Sequence, residues 1–214
     1  MQNTSSLSRE TKTSEGLSTK TLYLVETALM IAVTLIMGNT FLGTIPTPFL
    51  KVSIVTVPVA LAAMLIGPTA GVVCGLVFGL NSFFTALTGE SGLLSTLFNV
   101  NPVGVFLTAV LARFLDAFIV SNLFPIFKKH LGKVSYFITG LLMPLFNTVF
   151  FMGLLCIFFY HSDFIQELAA TKNATGPLSF VIALVGVQAT VEAAIGCLLA
   201  GTLGLVLSKV LHRA

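Results

Sequence analysis

Six long, predominantly apolar runs divide this chain and leave it few folds. Crossing the hydrocarbon core of a bilayer takes about 20 apolar residues in a helix. Runs of this length and apolarity read as spanning helices. Composition points the same way: 56% of residues are hydrophobic and 9% are charged, against about 25% charged in a soluble domain. Six spans take up most of 214 residues, so no separate soluble catalytic domain is expected.

Punctuation sets the spans at about 21–38, 52–66, 70–87, 103–127, 135–160 and 178–208. The stretch 39–51 holds Gly43, Pro46 and Pro48 and cannot be regular helix. Gly67-Pro68 reads as a tight turn, Lys128 to Lys133 as a basic connection, and 88–102 and 161–177 as polar connections. Residues 1–20 are polar and Ser/Thr-rich, with no apolar core of a signal peptide. They are expected to form a flexible cytosolic tail ahead of one transmembrane domain, 21–214.

Basic residues orient such a bundle. With six spans, Arg9, Lys12, Lys20, Lys128, Lys129, Lys133, Lys209 and Arg213 share one side, while Lys51 and Lys172 lie on the other. Both termini are therefore expected in the cytosol, and 39–51, 88–102 and 161–177 outside. The net charge of +3 gives no ground for nucleic-acid binding.

Polar residues inside spans are costly and mark candidate sites. Arg113 and Asp116 lie three apart on one helix face. Gln188 and Glu192 are one turn apart in the last span, and Asn147 is deep in the fifth. Asn81 falls about two turns below the outer end of the third. At about 1.5 Å per residue, Arg113, Asn147 and Glu192 reach similar depth. An ion pair of Arg113 with Asp116 or Glu192 would relieve an isolated buried charge. Three roles stay open: a register-fixing network, the polar floor of a substrate cavity, or a proton relay. Lys51 either snorkels at the interface or meets an anionic substrate. Asn99 and Asn101 either cap the fourth helix or face a ligand.

Small residues mark helix contacts: Gly71, Gly75 and Gly79 in the third span, Gly196, Ala200 and Gly204 in the sixth, Ala28 and Ala32 in the first. Several chemistries lack their motifs. No Gly-rich loop ends in Gly-Lys-Ser/Thr, so ATP is not bound in the usual way. HExxH and GxSxG are absent, the three histidines lie at span edges, and Cys74, Cys156 and Cys197 show no metal spacing. No enzyme activity is expected.

Four local patterns, taken together, give the sequence a family likeness. They are Ala28-xxx-Ala32; Phe49 to Pro58 leading into Ile66-Gly67-Pro68-Thr69-Ala70-Gly71; Ala112-Arg113; and Phe146-Asn147-Thr148 with Val191-Glu192-Ala193. Over about 20–212 the chain resembles the substrate-specific S components of energy-coupling factor (ECF) vitamin transporters. The resemblance implies an all-α, six-helix integral membrane bundle in a bacterial plasma membrane, with cytosolic termini and a vitamin cavity facing outward. It implies a transmembrane coupling subunit and two ABC-type ATPases as partners. ATP is then used by those partners, and this chain binds no cofactor of its own. Ala28 and Ala32 would belong to the docking surface, and the subunit would topple in the membrane to release its cargo. The sequence looks most like the pantothenate, folate and cobalamin group. Pantothenate, a flexible carboxylate with hydroxyl and amide groups, would suit Lys51 or Arg113 with Asn81, Asn99, Asn101, Asn147, Gln188 and Glu192. The alternatives are a folate or cobalamin S component, or a self-sufficient ion-coupled transporter using Asp116 or Glu192. The lack of a clear inverted repeat counts against the last.

Overall fold

In a computed structural model of the chain, residues 7–46 and 51–211 are described, with side chains described over 19–43 and 53–211. The first helix, α1 (Leu7–Asn39), carries its apolar stretch from Thr19 onward, so its backbone is helical well before residue 21. A short antiparallel pair follows, β1 (Thr44–Pro46) and β2 (Lys51–Ser53), with Ile45 opposite Val52. Then come α2 (Thr56–Leu65), α3 (Pro68–Leu87), α4 (Gly92–Phe98), α5 (Pro102–Leu131), α6 (Val134–Phe159), α7 (Asp163–Thr171) and α8 (Pro177–Val210). Among the described residues, α1, α3, α5, α6 and α8 are long and apolar enough to cross a membrane.

The second apolar run behaves differently from the other five. Its helix starts at Thr56 rather than 52, which places Pro58 in the first turn, where a missing N–H costs nothing. Ten residues rise about 15 Å, half the hydrocarbon thickness. All ten are buried, enclosed by α1, α3, α5, α6 and α8. At its end Gly67 takes φ 140° and hands the chain to Pro68 at the first position of α3. The left-handed half of φ space favours glycine there, and proline is pre-set for a helix start.

The small-residue patterns are packing seams. A Cβ on Gly71 would meet Ala63 and Ser121, one on Gly75 would meet Ala117, and one on Gly79 would meet Val110. The α3 stripe thus lies against α2 and α5. Helices α6 and α8 touch backbone to backbone at Gly140 and Gly196, where an added Cβ on either would stand 2.5 Å from the other's carbonyl oxygen. By contrast, α1 turns Leu24, Val25, Leu29 and Ile36 outward, and Ala28 and Ala32 are exposed on it.

Two stretches read as polar connections contain short helices. In α7, Ile165 and Ala169 are buried four residues apart, and in α4, Leu94 and Leu97 are buried three apart. Each helix offers one buried pair, too little periodicity to stand out in sequence. Both cover an upper core around Leu97, Phe159 and Phe180, while a lower core surrounds α2.

Candidate functional site

Between the two cores, a cavity of about 570 Å³ opens beside the hairpin and α4. The size lies in the ~300–1,000 Å³ range of small-molecule sites. Each long helix contributes one face. On α3 it is Phe78, Asn81, Ser82 and Thr85; on α6, Asn147, Thr148, Phe151 and Met152; on α8, Val185, Gln188, Ala189 and Glu192. These are the three- and four-residue steps of a helix surface. Asn39, Thr40 and Phe41 close one side, Ser53 and Val55 another, and Glu90 to Leu94 a third.

Arg113 supplies the floor and is 9% exposed. Its guanidinium carbon lies 4.9 Å from the centre of the Phe78 ring and 4.8 Å from that of Phe151. Such ring contacts stabilise a desolvated cation by about 2 kcal/mol or more. The Nη1 group donates to the Ala109 carbonyl at 3.2 Å, and Nε has no partner. Ala109 sits in a widened π-helical turn, Leu107–Leu111, directly ahead of Arg113. Turns of this kind recur at functional sites.

The expected direct ion pair does not form. The guanidinium is held by rings and a carbonyl instead. Asp116 is buried with Oδ1 unpartnered and does not line the cavity. Glu192 Oε1 accepts from the Ser53 backbone N–H at 2.6 Å and from Gln188 Nε2 at 2.9 Å.

Of the residues singled out from sequence, Asn81, Arg113, Asn147, Gln188 and Glu192 meet in this cavity. Asn81 Oδ1 accepts from Asn39 Nδ2 at 2.8 Å, and Asn147 Oδ1 is buried without a partner. Asn99 and Asn101 are not part of the lining. Asn101 Oδ1 instead accepts from the Gly104 N–H at 3.0 Å, capping α5, and Asn99 is exposed after α4. Lys51 lies in β2, but its side chain falls outside the described residues. Asn39, Ser53, Phe78, Glu90 and Phe151 were not singled out from sequence. Phe78 could have been found, one turn from Asn81 on the face that a polar residue in a span already marks.

A multi-pass helical bundle that keeps a mixed polar and aromatic cavity open toward one end has the build of a membrane-embedded binding protein. Comparison with protein families gives the class its name. The model of the ECF transporter substrate-specific component matches residues 22–204, and the chain belongs to that family. A search of curated proteins finds no match.

Proposed function

We propose that the cavity captures a small anionic vitamin, pantothenate by preference, for delivery through an ECF-type importer. The observation that carries this reading is Arg113. It is the one cation lining the cavity among the described side chains, and it is buried, lies near two aromatic rings and shares the cavity with amides and hydroxyls. A guanidinium held near rings still has N–H donors to offer a carboxylate, and its Nε has no partner in the structure. Asn81, Asn147, Gln188 and Thr148 offer partners for hydroxyl and amide groups. Folate would bring a second carboxylate with no second described cation to meet it.

On this reading the basic side of the bundle faces the cytosol of a bacterium, both termini included, and the cavity opens outward. A transmembrane coupling subunit and two ABC-type ATPases supply the motor and use the ATP, and this chain itself holds no cofactor. Ala28 and Ala32, exposed on α1, lie on the surface that docks with the coupling subunit. The test is equilibrium binding of a labelled vitamin panel to the purified chain in detergent, without ATP or partners. Saturable binding of pantothenate alone supports the reading. Binding of a different vitamin, or of none by a folded preparation, overturns the substrate assignment.

A further inference from the structure

Glu192 sits among the substrate-facing residues, yet its hydrogen bonds point elsewhere. Residue pairing in the hairpin sets Thr44 opposite Ser53, and the Ile54 N–H donates to the Gly43 carbonyl. Donors alternate direction along an antiparallel strand, so the Ser53 N–H points away from β1, toward the bundle. A strand-edge N–H in that position is an orphan donor unless something meets it. Glu192 meets it at 2.6 Å, across 139 residues of sequence, from a helix that packs on β2. Gln188, one turn earlier, donates to the same oxygen at 2.9 Å, which fixes the carboxylate's direction. Glu192 is only 5% exposed.

We propose that Glu192 is a positioning residue: it accepts the Ser53 N–H, fastens β2 to α8, and so holds the hairpin in place as a wall of the cavity. The inference rests on the binding reading above for its consequence, though not for its geometry. What the role requires is an acceptor oxygen, which glutamine also has. Leucine at 192 removes it. Ser53→Pro removes the donor instead and leaves Glu192 untouched; because that N–H lies off the β1 ladder, proline costs no strand pairing there.

The experiment is amide hydrogen exchange of the full-length chain in nanodiscs, read at the peptide covering Ser53, with the dissociation rate of radiolabelled pantothenate as a second readout. Glu192→Leu and Ser53→Pro should each speed exchange in the hairpin by about 10- to 100-fold, the worth of a hydrogen bond to a charged acceptor. Exchange in α6 should stay unchanged, and pantothenate should leave faster. Glu192→Gln, which keeps the acceptor oxygen but not its charge, should fall between wild type and Glu192→Leu in hairpin exchange and in pantothenate release together. Should Glu192→Leu fail to fold, Ser53→Pro against Glu192→Gln decides. Slow exchange in Glu192→Leu or Ser53→Pro overturns the proposal, as does Glu192→Gln losing pantothenate while its hairpin stays protected. If the wild type binds no pantothenate, the substrate reading fails, and the exchange comparison still decides the role of Glu192.

Discussion

Gly79→Ala, on a helix that supplies neither the donor nor the acceptor of the Arg113 hydrogen bond, is expected to weaken binding of an anionic ligand selectively. A Cβ built at Gly79 stands 2.9 Å from Val110 Cα and 3.1 Å from the Ala109 carbonyl oxygen. Ordinary carbon contacts lie at about 3.5–4.0 Å, so the widened turn has to retreat by roughly 0.5–1 Å. Overpacking of this kind costs about 1–3 kcal/mol, and alanine returns up to about 1 kcal/mol of helix propensity. The net loss of stability is therefore small, about 0–2 kcal/mol. The larger effect falls on function, because the displaced carbonyl is the one that orients Arg113. A hydrogen bond to a charged group contributes about 1.5–3 kcal/mol, so misorienting the guanidinium should cost about 10- to 100-fold in affinity. The assay compares pantothenate with its uncharged alcohol analogue on the same purified variant. Selective loss of the anion is expected. Equal loss of both ligands would show that the methyl group collapses the cavity rather than turning Arg113, and unchanged affinity would show that the Ala109 carbonyl does not orient it. Gly71→Ala is the control: it meets Ala63 and Ser121, away from the widened turn, and should lower stability without separating the two ligands.

Further substitutions at Arg113, at Ala28 with Ala32, and at Asn101 extend the test. Arg113→Met should weaken pantothenate by about 2–5 kcal/mol in titration calorimetry, the cost of removing one partner from a buried charged contact; Arg113→Lys should fall between the two because it keeps the charge and loses the planar stacking. Ala28→Leu with Ala32→Leu should abolish uptake in cells expressing the whole transporter while the isolated subunit binds as before, and a matching loss of binding would sink the docking role. Asn101→Ala removes the cap on Gly104 and should lower thermal stability by about 1 kcal/mol with ligand affinity unchanged, as measured by melting with and without vitamin.

The helices of this fold were legible in sequence because lipid imposes them: an apolar run of sufficient length has one solution in a bilayer. The site was legible for the same reason in reverse. Arg113, Asn147, Gln188 and Glu192 stood out as polar groups where lipid forbids them, and the cavity gathers all four. Residues that need no such excuse stayed hidden. Phe78 and Phe151 look like any apolar residue of a span, and their stacking on Arg113 depends on the angle at which α3, α5 and α6 meet. The widened turn at Leu107–Leu111 has no composition of its own, since Leu-Thr-Ala-Val-Leu suits an α turn equally well. Asn99 and Asn101 were ambiguous because a capping oxygen and a ligand-binding oxygen call for the same side chain. The expected ion pair of Arg113 failed on geometry that spacing alone does not reveal: a residue three positions away shares a face, but its charge still points along its own rotamer.

The cavity itself follows from the shortness of α2. Every other apolar run fills the thickness of the bundle, whereas α2 rises only about 15 Å and is enclosed on all sides. The slot it occupies is therefore filled with helix over half its depth and left to other structure over the rest. Gly43 and Pro46 do not continue that helix backward, and a two-stranded hairpin precedes it instead, with β2 packed on α8 and the Ser53 N–H left in need of a partner. Ser53 finds one in Glu192. The volume that the hairpin leaves unfilled is walled by the polar faces of α3, α6 and α8 and floored by Arg113. A cation at that depth would be costly against lipid, yet here it faces aromatic rings and a carbonyl from a widened turn. Each departure from a plain helical bundle (the half-length helix, the hairpin, the widened turn) thus borders the same cavity of about 570 Å³, and room for a small molecule is what those departures jointly make.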